Sequence, residues 1–280
     1  MSIIICPKCK EELILDGNSL KCKNNHCYDR AKEGYTNLLL TSRSGEKIGD
    51  SKESAAARHR FLAKGYYKCL KDRIAELLKG SVLDICCGDG YYDDYDGELY
   101  GFDISKEMVR LASKSQKSHT YFVANLADIP VKSKSFDTCI HLFAPFNEKE
   151  FCRVMKDDGI LYSVIPGENH LYEMKEILYD SPYKNDEKAP DSLLLNLTDR
   201  IKVSETVSID GDDLYELFSM TPYYYHTSDK NKARLKKAKQ CDLIVEFVIL
   251  KYTKKPCRLL NLTCPRLCRQ YKKSLLEVEK

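Results

Sequence analysis

The chain has 280 residues, of which 43% are hydrophobic and 31% are charged. At roughly 150 residues per domain, this length allows one large domain, or a large domain with a small companion. No apolar stretch approaches the roughly 20 residues of a membrane span, and the apolar content excludes a fully disordered chain. The apolar run directly before Cys6 has only three residues, Ile3 to Ile5, too few for a signal peptide, so we expect a soluble cytoplasmic protein.

Charge is segregated along the chain. Residues 1–79 contain 16 Lys/Arg against 10 Asp/Glu, residues 80–227 contain 14 against 27, and residues 228–280 contain 15 against 5. Two basic flanks therefore enclose an acidic middle, although the net charge is only +3. One interpretation is a set of solvated helix faces. The other is that the flanks bind a polyanion.

The spacing of the first cysteines predicts a zinc site. The segment Cys6-Pro7-Lys8-Cys9 is a C-x2-C knuckle, and Cys22 and His26 follow at zinc-finger spacing. A hairpin over residues 12–21 would bring both knuckles to one tetrahedral Zn²⁺. About forty residues cannot otherwise hold a core, so the metal would stabilise this segment. Cys27, beside His26, would complete an equally plausible C-x2-C…C-x4-C set as the fourth ligand.

The middle of the chain alternates short apolar runs with helix-like segments. Residues 81–85 predict a buried strand that runs directly into Cys86-Cys87-Gly88-Asp89-Gly90. Open α/β sheets bind nucleotides at such a turn, at the carboxyl end of a strand. Further strands are predicted at 98–102, 121–124, 138–143, 159–165 and 243–250, with helices at 107–115 and 148–155. This alternation predicts an α/β fold with a parallel sheet.

The glycine turn favours S-adenosylmethionine over NAD as the ligand. Cys86 stands where a dinucleotide fingerprint has its first glycine. Asp103 ends the second strand, where its carboxylate can accept hydrogen bonds from both ribose hydroxyls. The residues that suit the cofactor are Asp84, Gly88, Asp89 and Gly90 around the turn, Asp103, and Asn125-Leu126 after the third strand.

Six motifs in a fixed order support a family resemblance. They are the Cys6–His26 ligand set, residues 29–39 (DRAKEGYTNLL), 49–51 (GDS), 57–67 (ARHRFLAKGYY), 83–92 with Ala144-Pro145, and 166–171 (PGENHL). With these motifs the chain resembles the zinc-containing large-subunit (23S) ribosomal RNA guanine-N1 methyltransferases, also called ribosomal RNA large-subunit methyltransferase A. The resemblance extends from Cys6 to about Tyr252.

The resemblance implies a fold, a reaction and a set of site residues. The fold is a class I, Rossmann-like methyltransferase domain with a seven-stranded, mostly parallel sheet, preceded by a small zinc-ribbon-like RNA-binding module, in a homodimer. The reaction is S-adenosylmethionine-dependent methylation of guanine N1 in ribosomal RNA. Zinc would be held by Cys6, Cys9, Cys22 and His26, which favours His26 over Cys27, and Tyr67, Gly88-Asp89 and His170 would line the cofactor pocket.

We accordingly divide the chain into four parts. These are a zinc-binding RNA-recognition module (1–40), a helical linker (41–80), the methyltransferase domain (81–252) and a basic extension (253–280). Cys257, Cys264 and Cys268 lie in the extension, where a second metal site with Cys241 is an alternative to free thiols.

Two further features depart from the family pattern. If the position of Cys86 requires a positive φ, its side chain is strained. Only twelve residues separate Gly90 from Asp103, so we expect the first crossover helix to be little more than a turn or two.

Methyl transfer is an in-line displacement, so the enzyme must mainly position the nucleophile. Guanine N1 must also lose a proton, and Glu168 and His141 are the bases considered, without an assignment. Phe143 and Phe146 are predicted to hold the extruded base, or alternatively to pack in the core. Lys8, Lys10, Lys21, Lys23 and the basic stretch 230–239 are predicted to contact phosphates. A small-molecule methyltransferase and an inactive RNA-binding relative are the alternative functions.

Overall fold

The computed structural model describes residues 2–40 and 52–256. The motif at 49–51 and the cysteines at 257, 264 and 268 lie outside the described residues. The strands are β1 (Ile14–Asp16), β2 (Ser19–Lys21), β3 (Cys27–Asp29), β4 (Thr36–Asn37), β5 (Val82–Ile85), β6 (Leu99–Asp103), β7 (Thr120–Val123), β8 (Phe136–Leu142), β9 (Met155–Pro166), β10 (Leu195–Asp210) and β11 (Gln240–Lys254). The helices are α1 (Lys52–Ala63), α2 (Lys68–Leu77), α3 (Lys106–Ser115), α4 (Glu148–Val154), α5 (Tyr172–Leu178), α6 (Gly211–Ser219), α7 (Tyr223–His226) and α8 (Asp229–Leu235).

The main sheet has the order β10-β11-β9-β8-β5-β6-β7-β4. The strands from β9 to β4 in this order pair in parallel, whereas β11 is antiparallel to both of its neighbours. The strands β5 to β11 form the predicted seven-stranded, mostly parallel sheet, so the fold class is confirmed. The structure adds an eighth strand, β4, which comes from the N-terminal segment.

The predicted elements occur within a few residues of their expected limits because their local signals are strong. In α3, for example, Ser105 caps the first turn by accepting a hydrogen bond from the N–H of Met108, and Met108, Val109 and Ala112 form the buried face. Among the described residues, the connection from β5 to β6 contains turns and no helix. The first crossover helix, expected to have a turn or two, is therefore absent from this connection.

Both faces of the sheet are covered, as a mostly parallel sheet requires. Helices α1, α2, α5 and α6 contribute to a core on one face, where Phe61, Leu70 and Ile74 are buried. The other face is covered partly by α4 and partly by the N-terminal segment. None of the helices in the described ranges is long and apolar enough to cross a membrane.

Residues 2–35 contain a three-stranded antiparallel sheet with the order β1-β2-β3. We call this N-terminal segment the ribbon. Its apolar residues Ile4 and Leu13 belong to the same buried cluster as Leu83 and Phe102 of the main sheet. The backbone N–H of Ile5 donates to the carbonyl of Pro130 at 2.9 Å. The part of the ribbon around Ile4 and Leu13 is therefore packed against the sheet, and β4 continues from the ribbon into the sheet.

Candidate functional site

The four predicted zinc ligands come together at one end of the ribbon. The ligand atoms of Cys6, Cys9, Cys22 and His26 all lie within 4.8 Å of one another. The Sγ atoms of Cys9 and Cys22 are 3.6 Å apart, and Nδ1 of His26 lies 3.4 Å from the Sγ of Cys6. Around a tetrahedral zinc with the usual bond lengths, sulfur–sulfur and sulfur–nitrogen distances are about 3.5–3.8 Å. The donor set and its spacing therefore fit Zn²⁺.

The backbone of the two knuckles explains this arrangement. Lys10 and Asn25 have positive φ angles of 62° and 60°, and the N–H of Lys10 donates back to the carbonyl of Cys6 at 2.8 Å. A hydrogen bond from the backbone of Glu11 is the main cause that lowers the pKa of Cys9 to about 6, which favours the thiolate that a metal requires. Cys27, the alternative ligand, is exposed and lies outside the four-residue group.

Sequence reasoning missed one residue next to this cluster. The hydroxyl of Tyr28 lies 3.3 Å from the Sγ of Cys6, within hydrogen-bond distance. Such contacts from the next layer of side chains orient metal ligands.

The glycine turn has a left-handed backbone conformation at three of its residues. Cys86, Gly88 and Gly90 have φ angles of 61°, 56° and 72°. A Cβ at Gly90 would lie 2.9 Å from the hydroxyl of Tyr121, so this position requires glycine for two reasons. Cys86 occupies a left-handed conformation with a side chain, as expected, and burial raises the pKa of its thiol to about 12. Burial therefore disfavours the thiolate form of this side chain.

Asp103 holds the glycine turn against the end of β6. Its Oδ2 accepts a hydrogen bond from the N–H of Gly88 at 3.1 Å, and its Oδ1 accepts one from the N–H of Ser105 at 2.8 Å. The carboxylate is thus fixed at the carboxyl ends of β5 and β6, where it was predicted to meet the ribose.

Two buried carboxyl groups near the turn have partners that the sequence did not reveal. Asp89 is almost fully buried, and its Oδ2 lies 2.6 Å from Nδ1 of His59 in α1. This hydrogen bond raises the pKa of His59, so the contact favours the imidazolium. Asp84 lies beneath the turn, where burial and the carboxyl of Asp93 raise its pKa well above the usual range.

Tyr121 belongs to the same buried cluster as Asp84 and Asp93, because its hydroxyl donates to Oδ2 of Asp93 at 2.6 Å. Asp84 is therefore placed under the turn rather than on its outer surface. Burial and the neighbouring carboxyl of Asp93 thus favour the protonated form of Asp84.

An aromatic cluster of Tyr67, Phe143, His170 and Phe247 lies beside the turn that follows β9. His170 contacts Phe247 at 4.7 Å between ring centroids, and Tyr67 contacts Phe247 at 5.0 Å. The N–H of Glu246 donates to Nδ1 of His170 at 3.2 Å, which leaves the ring proton on Nε2, 3.5 Å from the hydroxyl of Tyr67. Burial lowers the pKa of His170 to about 3, so the ring is neutral.

Phe143 forms the open edge of this aromatic cluster. Its ring centroid lies 5.8 Å from that of Phe247, and 49% of the residue is exposed. Its φ of 54° is a left-handed conformation that is rare for an aromatic residue. Exposure and backbone strain at the end of β8 together single out Phe143 as a functional candidate.

The structure places Phe146 differently. Its ring packs 5.1 Å from Phe151 and 5.7 Å from Tyr252, in the core on the other side of the loop. Phe146 therefore follows the core-packing alternative, and we leave it out of the candidate site. Asn125 and Leu126 lie just after β7, where the side chain of Asn125 is exposed and accepts a hydrogen bond from the N–H of Ala127.

The two bases considered from sequence are already engaged. Nδ1 of His141 lies 3.1 Å from the hydroxyl of Ser163 and its Nε2 lies 3.1 Å from the carbonyl of Pro145. Burial lowers the pKa of His141 to about 4, so it is a neutral residue that shapes the loop before Phe146. Glu168 pairs with Lys184 at 3.2 Å. Neither side chain is positioned as a base by these contacts.

Lys175 is another residue near the site that the sequence did not predict. It is fully buried, and its Nζ donates to Oδ1 of Asn185 at 2.6 Å and faces the ring of Tyr183 at 4.3 Å. Asn185 in turn donates to the carbonyl groups of Gly167 and His170, both at 2.9 Å. Lys175 thereby stabilises the turn that carries His170 into the aromatic cluster.

Comparison with known proteins agrees with this arrangement. Residues 4–42 match the family described as "RlmA, N-terminal", and residues 82–159 match the family described as "Methyltransferase domain". YxjB of Bacillus subtilis, which bears the name of a 23S rRNA (guanine-N(1)-)-methyltransferase, is 30% identical over 274 residues, covering 89% of this chain and 96% of YxjB. The chain belongs to the 23S rRNA guanine-N1 methyltransferase family. The 23S rRNA (guanine(748)-N(1))-methyltransferase of Streptomyces fradiae is 27% identical, over 82% of this chain and 88% of that protein.

Family membership establishes the chain as an S-adenosylmethionine-dependent methyltransferase with an N-terminal zinc ribbon. The predicted family, enzyme class and cofactors are therefore confirmed. The comparisons do not test the individual zinc and cofactor residues, which stay predictions.

Proposed function

We propose that this protein transfers the methyl group of S-adenosylmethionine to N1 of a guanine in 23S rRNA. The observation that carries the proposal is the similarity to YxjB along nearly the whole of both chains, ribbon and methyltransferase domain together. The geometry of the turn, with Asp103 fixed between β5 and β6, supports the cofactor part of the proposal.

The site residues are assigned as follows in this proposal. Zinc would be held by Cys6, Cys9, Cys22 and His26, a closed set of four protein ligands that suits a structural metal. The cofactor would be held by Tyr67, Gly88, Asp89, Gly90, Asp103, Asn125, Leu126 and His170, with Asp84 supporting the turn from below. When bound, S-adenosylmethionine supplies the electrophilic methyl group.

In this proposal Phe143 stacks on the target guanine. The guanine must leave its base stack to reach a buried methyl donor, and an exposed aromatic ring can hold it there. Phe143 is the member of the aromatic cluster with the most exposed surface, and the neutral rings of Tyr67 and His170 lie behind it. The guanine N1 would then be positioned by stacking rather than by a charged side chain.

Primer extension tests the reaction. The purified protein is incubated with unmodified 23S rRNA, with and without S-adenosylmethionine. An N1-methyl group blocks the Watson–Crick edge, so reverse transcription is expected to stop next to one guanine only when the cofactor is present. A small-molecule methyltransferase would bind the cofactor in calorimetry and give no stop. An inactive relative would show no cofactor uptake.

Substitution of Phe143 tests the stacking. Base–aromatic stacking contributes about 1–3 kcal/mol per base, so Phe143→Ala is expected to weaken RNA binding or turnover about 5-fold to 150-fold. Leu193→Ala is the matched control, because Leu193 is equally exposed at 48% and lies outside the aromatic cluster. Equal activity of the two variants would refute the role of Phe143.

The division of the chain and its assembly remain part of the proposal. We propose the domain limits 1–40, 41–80, 81–252 and 253–280, and a homodimer in solution. A cytoplasmic location follows from the ribosomal substrate. Sedimentation equilibrium measures the assembly, and a monomer at micromolar concentration would contradict the dimer.

A further inference from the structure

Several lysines that sequence reasoning assigned to RNA already have partners. Lys10 pairs with Asp128 at 2.5 Å, Lys21 pairs with Asp16 at 2.6 Å, and Lys23 pairs with Glu11 at 2.9 Å. Each of these three lysines thus has a carboxylate partner at the protein surface. A polyanion that replaced the carboxylates would gain less from them than from cations without a partner.

Cations without a carboxylate partner in the described ranges line a groove between the ribbon and α3. The groove has a volume of about 570 Å³. Its lining includes Arg30, Lys32, Ser113, Lys114, Lys117 and His119, which we call the basic groove. One carboxylate, that of Glu33, also contributes to the lining.

The charges of the basic groove are not balanced locally. Within residues 2–40 and 52–256, no carboxylate lies within ion-pair distance of Lys32, Lys114 or Lys117. Lys114 and Lys117 lie near the C-terminus of α3, where the helix dipole accounts for part of their placement. The dipole does not account for Arg30 and Lys32, which come from a segment about 80 residues away.

Two residues that line the groove also have buried polar atoms without a partner among the described residues. Ser113 is 5% exposed, and its Oγ has no hydrogen-bond partner among the described residues. His119 donates from Nε2 to the carbonyl of Asp93 at 3.1 Å, which leaves Nδ1 buried and, in the described part of the chain, without a partner. Arg30 is held in place because its Nε and Nη2 both donate to the carbonyl of Gly34 at 3.3 Å. Arg30 is thus a fixed cation in the groove, and the exposed side chains of Lys32, Lys114 and Lys117 place further positive charge beside it. Arg and Lys side chains are the usual donors to backbone phosphates.

The basic groove lies far from the methyl-transfer site. Helix α3 begins just after Asp103 at the carboxyl end of β6 and has ten residues, so its C-terminus is about 15 Å away along the helix axis. A ligand that reached both sites would have to be long and carry repeated negative charge. A nucleic acid strand or stem has these properties, whereas a mononucleotide does not.

We propose that the basic groove binds backbone phosphates of the RNA substrate, at a distance from the guanine that is methylated. This inference rests on the proposed function, because it assumes that RNA is the substrate. It assigns to Lys32, Lys114 and Lys117 the phosphate contacts that the sequence predicted for Lys10, Lys21 and Lys23.

The test compares two triple variants of the full chain. The groove variant carries Lys32→Gln, Lys114→Gln and Lys117→Gln, three exposed side chains whose loss should not affect folding. The ribbon variant carries Lys10→Gln, Lys21→Gln and Lys23→Gln, the same change in charge at paired lysines. Affinity for a hairpin fragment of 23S rRNA is measured over a range of salt concentrations, together with kcat, KM and cofactor affinity.

Removing one lysine–phosphate pair is expected to reduce the salt slope by about 1, so the slope of the groove variant should fall by about 3. Its KM for RNA should rise, while kcat at saturating RNA and the Kd for S-adenosylmethionine remain unchanged. The ribbon variant should show a clearly smaller change. An unchanged slope in the groove variant, or an equal fall in the ribbon variant, would overturn the inference.

Failure of the inference and failure of the proposed function give different results. If the wild type methylates RNA and the groove variant binds RNA like the wild type, only the groove inference is wrong, and the groove faces another acidic partner. If the wild type binds RNA with a slope that falls in the groove variant, yet leaves no methyl group, the groove inference stands and the proposed reaction fails.

Discussion

The role of Asp103 can be tested by removing its carboxylate. Each oxygen of Asp103 accepts a backbone hydrogen bond, from Gly88 at 3.1 Å and from Ser105 at 2.8 Å. A carboxylate has about four acceptor positions, two on each oxygen. In the proposed complex the ribose hydroxyls would donate two further bonds to the same group.

The magnitude follows from the number of bonds. Hydrogen bonds to a charged group contribute about 1.5–3 kcal/mol each, so the loss of two corresponds to about 3–6 kcal/mol, or at least a 100-fold weaker Kd for S-adenosylmethionine. Asp103→Ala also leaves the N–H groups of Gly88 and Ser105 without this acceptor. The glycine turn should therefore become less stable in the same variant.

Isothermal titration calorimetry measures the Kd, and circular dichroism checks that the variant is folded. Asp96→Ala is the control, because Asp96 is an exposed carboxylate on the same connection between β5 and β6. If folded Asp103→Ala binds S-adenosylmethionine within about threefold of the wild type, Asp103 does not hold the ribose and the reasoning from its position is refuted.

Three further outcomes are expected. Metal analysis should find one zinc per chain in the wild type and in Cys27→Ser, and less than that in His26→Ala; the reverse pattern would exchange the fourth ligand. Cys86→Gly should be more stable in urea than Cys86→Ala by about 1 kcal/mol, because only glycine relieves the left-handed strain; equal midpoints would contradict this. The hydrogen bond to Asp89 raises the pKa of His59, so its contribution is complete below about pH 6.5 and is lost as the pH rises through the raised value. The difference in unfolding free energy between the wild type and His59→Gln should therefore shrink from about pH 5.5 to about pH 8.5.

The parts of the fold that could be predicted from sequence have local signals. The knuckles at Cys6 and Cys22 need only short spacings, and the turn after β5 needs only an apolar run followed by glycines. Cys86 could even be assigned strain, because a positive φ at that point is a property of the turn rather than of distant contacts. In each case the information lies within a few residues.

The missed elements depend on contacts between distant segments. Strand β10 has 16 residues, most of them exposed or half-buried, because it lies at the edge of the sheet and pairs only with β11 among the described strands. Its polar sequence carries no strand signal of the buried type. Strand β4 has two residues and exists because β7 offers it a free edge.

The candidate site also depends on contacts between distant segments, which the sequence alone does not predict. The pair His59–Asp89 joins residues 30 positions apart, and Lys175 stabilises the turn at His170 through Asn185 rather than by direct contact. The basic groove combines residues of the ribbon with the end of α3. Charge segregation in the sequence points to the flank that contains Lys32, but it does not reveal Lys114 and Lys117, which lie in the acidic middle of the chain and reach the groove only through the fold.

The position of the ribbon links the zinc site to the cofactor site. Strand β4 continues from the ribbon and pairs with β7, and the carboxyl end of β7 leads to Asn125 at the proposed cofactor edge. Ile4 and Leu13 of the ribbon share a buried cluster with Phe122 of β7. Because the free energy of metal binding is part of the folding free energy of such a segment, zinc would stabilise this edge of the sheet as well as the ribbon. Loss of the metal ligands would therefore weaken the methyltransferase domain as well as the ribbon.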